Sequence, residues 1–155
     1  MERVNAGDVD SWTSPAAAKR PLGRALGAEE VAVNHYELEP GDAFGFGYHR
    51  HPDQAELFYV IEGEATFETE DGDVTVGAGE AVRFAPGEWQ LGRNEGDERV
   101  VALALGAPAD EAGADIRREC QDCGERTTVS IERADSGSGL VTVCQTCAAV
   151  TGRFS

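Results

Sequence analysis

Between residues 31 and 106 the chain is cut into short apolar runs, and nearly every run stops at a glycine or a proline-glycine pair. That punctuation constrains the fold more than any other feature. The runs are rich in aromatic and β-branched residues and too short for amphipathic helices, so they read as strands. Residues 31–41 (VAVNHYELEPG) form a strand ended by Pro40-Gly41, and 55–63 (AELFYVIEG) a second closed by Gly63. Residues 64–80 (EATFETEDGDVTVGAGE) form a hairpin around Asp71-Gly72, a strong short-range hairpin signal. Residues 81–87 (AVRFAPG) and 98–106 (ERVVALALG) complete the set. Strand following strand without a helix between them predicts an all-β sandwich or barrel. Tyr36, Leu38, Phe58 and Val60 share inward faces by the period of two, whereas His35 has the opposite parity and reads as a surface or interface residue.

Outside this block the pattern changes. Residues 1–28 show no sustained periodicity and read as an N-terminal arm, with one short strand expected at residues 2–4. The barrel is assigned to 29–106 and a small, acidic linker to 107–117. Residues 118–155 hold all four cysteines and form a second unit. No apolar run approaches the roughly 20 residues that span a bilayer. The opening MERVNAGDVD lacks the apolar core of a secretory signal. A cytoplasmic location with no membrane partner is therefore expected.

The 155-residue chain carries 29 acidic side chains against 13 basic ones, a formal net charge of −16, and Lys19 is its single lysine. A surface this acidic repels itself in dilute salt. At molar ionic strength the Debye length falls to about 3 Å and the repulsion fades. The composition resembles that of proteins from salt-accumulating halophiles, of the archaeal type; the alternative is an acidic mesophilic protein. Either way, nucleic acids and anionic membranes are poor partners for the whole molecule.

His49 and His51 are one residue apart, so in an extended strand both imidazoles address the same side. Glu56 follows a turn containing Pro52, near the start of the next strand. Two imidazoles and a carboxylate suit Zn, Fe, Mn, Ni or Cu. The competing reading is two solvated histidines and a surface glutamate. The order His49-x-His51, then Glu56, then Gly63 resembles the first motif of the cupins, although Ala43 stands where that motif begins with glycine. Gly79, Pro86-Gly87, Gln90 and Asn94 resemble the second motif, with Gln90 where cupins usually carry a third histidine. The resemblance spans residues 31–106. It implies a double-stranded β-helix (jelly-roll) barrel with a divalent metal (Zn, Fe, Mn or Ni) on His49, His51 and Glu56, and a homodimer formed by sheet packing, to which the arm could add an exchanged strand.

Gln90 then has three readings. It is a fourth ligand through its carbonyl oxygen, a hydrogen-bond partner of a bound water or substrate, or the mark of a decayed site. Phe44, Phe46, Phe58 and Trp89 are expected to line a pocket, unless the flanking aromatics plug the barrel mouth. Gly45-Phe46-Gly47 is not a phosphate loop, because no helix or lysine follows it.

Cys120-x-x-Cys123 and Cys144-x-x-Cys147 are two pairs separated by twenty residues. Each can present two sulfurs to one ion, and four thiolates close a tetrahedral zinc site. The stretches 127–133 and 140–143 alternate as strands joined by residues 134–139. The unit resembles a zinc ribbon, with Ala148 where the second knuckle usually has glycine. Two disulfides, or a redox pair, are the competing readings. The ribbon's Arg117, Arg118, Arg126, Arg133 and Arg153 are offset by nearby carboxylates, so a protein contact is expected before nucleic acid.

These observations lead to a metal-binding cupin that binds a small-molecule ligand, with turnover left open, and to a structural zinc ribbon. The alternative is a non-catalytic sensor or adaptor whose barrel binds a metabolite and whose ribbon docks on a protein partner.

Overall fold

The structure is a computed structural model, and it describes residues 1–109 and 113–155. Thirteen strands are described: β1 (Ala18–Arg20), β2 (Ala32–Leu38), β3 (Tyr48–Arg50), β4 (Ala55–Glu62), β5 (Glu64–Thr69), β6 (Gly72–Gly77), β7 (Ala81–Phe84), β8 (Gln90–Arg93), β9 (Val100–Ala107), β10 (Asp115–Cys120), β11 (Glu125–Arg133), β12 (Leu140–Cys144) and β13 (Val150–Phe154). A single helical turn, α1 (Leu22–Ala25), follows β1. All pairings are antiparallel. One sheet has the order β1-β2-β9-β4-β7, and the other β13-β12-β11-β10-β3-β8-β5-β6.

Period-two burial builds the barrel. On β4, Phe58 and Val60 are buried while Tyr59 and Ile61 are each 41% exposed. Tyr36 and Leu38 of β2 face the same core. The core's centre is a cluster of rings in which Phe44, Phe58 and Phe67 lie 4.9 to 5.7 Å apart. Gly92 of β8 makes room for them, since a Cβ there would come within 2.5 Å of Phe67 and 2.6 Å of Phe44. Across the Asp71-Gly72 hairpin, Thr69 pairs with Gly72, whose φ of 109° no L side chain adopts easily.

Two expectations need correction. Residues 2–4 form no strand; the arm's strand is instead Ala18–Arg20, paired with β2 of its own chain. Asp42 anchors the arm by accepting from the Ala17 amide (2.9 Å). The cysteine unit is also joined to the barrel. Its strand β10 begins within the stretch read as a linker and pairs with β3, so one sheet runs through both units. Residues 110–112 of that stretch lie outside the described residues.

The seam between barrel and ribbon is made largely by arginines. Arg126 donates to Glu68 of β5 (2.6 Å) and covers the ring of Tyr48, and Arg118 donates to the Phe46 carbonyl. Phe46 meets Phe154 edge to face at 5.0 Å. Three of the five arginines weighed above for nucleic acid, counting Arg117 over Trp89, are engaged with the barrel.

Candidate metal centres and the ligand cavity

β3 and the start of β4 bring His49, His51 and Glu56 together, with one ligand atom from each lying within 4.8 Å of the others. Glu56 Oε2 is 3.7 Å from His49 Nε2 and 3.4 Å from His51 Nε2. Atoms held by one ion at 2.0–2.2 Å are about 3 Å apart at right angles and about 3.4 Å apart at tetrahedral angles. The separations match that spacing. His49 Nδ1 donates to the Gly47 carbonyl (2.8 Å), which fixes the tautomer and leaves the Nε2 lone pair facing the centre. Gly45 permits this ring position, because a Cβ there would meet the imidazole at 2.7 Å.

Burial alone would push Glu56 up. Protonated His49 and His51 rings overcome it by hydrogen bonds and charge and bring the carboxyl down to about 2; a cation on the two Nε2 lone pairs would take the place of those ring protons. The side chain is therefore an anion, as a metal ligand must be. Gln90 of β8 is the register partner of His49 in β3. Its Nε2 donates to Glu56 Oε2 (2.9 Å) and lies 3.1 Å from His49 Nε2. Its Oε1 is buried and has no hydrogen-bond partner among the described residues. An orphaned buried oxygen on a residue that touches both His49 and Glu56 is what a cation, or a group bound to one, would satisfy. The donor set fits a divalent metal.

A cavity of about 630 Å³ opens on this cluster. Phe44, Phe46 and Phe58 line it as expected. Trp89 does not. Just before β8, Trp89 instead stacks on Tyr48 at 5.3 Å between Arg50 and Arg117. Several lining residues escaped the sequence reading. The arm contributes Trp12, Lys19 and Arg24, and the ribbon contributes Ile116 and Ile131. Lys19 and Arg24 both lie against Trp12, at 5.9 and 5.6 Å from its ring. A single lysine in so acidic a chain was the one available signal. The ribbon residues left none, because only the β10–β3 pairing brings them there.

The second cluster gathers Cys120, Cys123, Cys144 and Cys147 within the same 4.8 Å limit. All four are free thiols; Cys120 and Cys147 sulfurs are 3.5 Å apart, Cys123 and Cys144 sulfurs 3.9 Å. A tetrahedron with 2.3 Å metal–sulfur bonds has edges of about 3.8 Å, whereas a disulfide needs about 2 Å. The two knuckles match: Gly124 N donates to Cys120 O and Ala148 N to Cys144 O, both at 2.9 Å. The Thr127 hydroxyl and the Cys147 and Thr146 amides pull the Cys144 thiol down to about 6, while the neighbouring thiols push Cys123 up. Four sulfurs this close cannot all ionise without a cation between them.

A jelly-roll barrel carrying a His-His-Glu cluster at one end of a cavity defines a barrel of the cupin fold with a candidate metal cluster. Residues 34–106 match the family described as Cupin domain (Cupin_2). No curated protein matches the sequence. Among solved structures, a sugar phosphate isomerase from a cupin superfamily of Silicibacter pomeroyi is 19% identical, with 97% of this chain and 98% of that chain covered and a TM-score of 0.69. A putative sugar phosphate isomerase from Acidithiobacillus ferrooxidans is 20% identical over 96% and 95% of the two chains, with a TM-score of 0.66. A polyketide cyclase from Streptomyces resistomycificus is 23% identical over 79% and 89%, with a TM-score of 0.65. The first two matches extend through the ribbon, so the joined architecture recurs.

Proposed function

We propose that the chain binds a small molecule with an anionic group on a divalent metal held by His49, His51 and Glu56, and that its four cysteines hold a structural zinc. One observation carries this reading: the three ligand side chains, Lys19 and Arg24 all face a single cavity of about 630 Å³. That volume lies within the usual range for small-molecule sites. When bound, the metal supplies a Lewis acid that polarises a coordinated oxygen. The protein's own groups do the rest. His49 and His51 present ring nitrogens, and Glu56 offsets part of the cation's charge. Gln90 is placed to hydrogen-bond whatever occupies the open side. Lys19 and Arg24 create a local positive field in a molecule of net charge −16, which draws an anion inward. Phe44 and Phe58 close the floor and exclude water. Three protein ligands leave a coordination position open, as catalytic metal sites do, and this favours turnover over passive binding. The two neighbours that match end to end are named as sugar phosphate isomerases, whose substrates carry such an anion; the proposal takes isomerisation as its first reaction to test. The adaptor alternative is weakened because the ribbon strand β10 is occupied by the barrel.

Metal analysis of the full chain tests both sites. Wild type is expected to carry two equivalents, one lost in His49→Ala/His51→Ala and the other in Cys120→Ser/Cys123→Ser. Titration of the loaded protein with inorganic phosphate should give binding that Arg24→Met weakens. Unchanged metal content in the histidine variant would overturn the barrel assignment.

A further inference from the structure

The ligand-bearing strand β3 is only three residues long. On one side it meets β8 at a single register position, His49↔Gln90. On the other it meets β10 at three: Asp115↔Arg50, Ile116↔His49 and Arg117↔Tyr48. Most of the lateral support for the strand that carries His49 therefore comes from outside the barrel. β10 ends on Cys120, the first cysteine of the ribbon, and pairs with β11 from Arg117 to Cys120. The approach of β10 to the barrel is close enough to require glycine, because a Cβ on Gly47 would come within 2.6 Å of the Arg117 carbonyl oxygen. Arg118 to the Phe46 carbonyl, and Arg126 to Glu68, pin the seam on either side of the pairing. Ile116 and Ile131 meanwhile reach the cavity itself.

We propose that the cysteine site positions the barrel's metal centre: the closed ribbon holds β10, β10 holds β3, and β3 sets His49 and, one residue past its end, His51 at ligand spacing. Arg118 and Arg126 are positioning residues in this chain of contacts. The inference rests on the barrel site proposed above and adds a coupling between two metal sites that share no ligand. A coupling of this kind is reciprocal, so occupancy of the barrel must also tighten the ribbon's hold on its zinc by the same factor.

Mn²⁺ is a suitable probe, since it prefers imidazole and carboxylate to thiolate. Its dissociation constant is measured on the full chain by the electron paramagnetic resonance signal of the free ion. Opening the ribbon with Cys144→Ser/Cys147→Ser should weaken Mn²⁺ binding by about 5- to 150-fold, the usual span of such couplings. Because that variant can lose its fold locally, Arg118→Met/Arg126→Met serves as the second arm. It keeps all four cysteines, should retain its zinc, and should still bind Mn²⁺ at least about fivefold more weakly. Competition for the ribbon zinc with a zinc-selective dye should show the reciprocal gain when Mn²⁺ saturates the barrel. If His49→Ala/His51→Ala binds Mn²⁺ like wild type, the barrel site itself fails. If wild type binds Mn²⁺ and both ribbon and seam variants bind it equally well, the coupling alone is overturned.

Discussion

Ala148 has a φ of 62°, in the left-handed region, and holds the second knuckle in the same hydrogen-bonded turn that Gly124 makes in the first at 71°. A side chain in that region costs about 1–2 kcal/mol, and glycine's extra freedom in the unfolded chain costs about 0.5–1 kcal/mol. Ala148→Gly should therefore stabilise the ribbon by about 0.5–1 kcal/mol. Thermal melts of the zinc-loaded chain, with and without the change, will read it; an unchanged or lower midpoint would refute the argument. The two candidate ligand clusters were legible in the sequence because ligation depends on residue type and spacing, and His49-x-His51, Glu56 and the paired cysteines display both. Sequence reasoning places Trp89 among the pocket-lining residues although it adjoins inward-facing Gln90, and the structure turns it onto Tyr48 instead. The roles of Lys19 and Arg24 were not legible, because they come from a segment with no periodicity.

At the scale of elements, long strands were easier to read than short ones. β2, β4, β5, β6, β7 and β9 carry their own alternation. β1 and β3 have three residues each, and their existence depends on partners distant in the chain. β10 hides in acidic sequence, and β13 in VTGRF, where a glycine breaks the pattern. β2 also carries a testable group on its outer face. Burial lowers the His35 imidazole below its usual 6.5, against the pull of Glu37 and aided by Arg20 and Arg99. Its Nδ1 is buried without a hydrogen-bond partner among the described residues. Below pH of about 6.5 the unfolded chain takes up a proton that folded His35 resists, so stability falls with pH from there through the lowered folded value. His35→Leu, facing Leu103 across the pair, should lose less stability than wild type between pH 7.5 and 5.5. Urea midpoints at the two pH values decide it; equal losses in both proteins would count against the burial argument.

For the whole molecule, the charge of −16 governs behaviour more than any single pair does. Raising KCl from 0.1 to 1 M shortens the Debye length from about 10 to 3 Å and should relieve self-repulsion. The melting temperature should rise by about 5 °C, equivalent to one or two kcal/mol at this size. A flat or falling melting temperature would mean the carboxylates are already compensated locally, as Arg20 and Arg99 compensate Glu37.

The segment that matches the family ends at residue 106 and starts at 34, yet Trp12, Lys19 and Arg24 lie before it and Ile116 and Ile131 after it. Residues from both ends of the polypeptide thus line the same cavity as the barrel's own side chains. Grafting the termini of one such protein onto the barrel of another should transfer ligand preference while leaving the metal chemistry where it was.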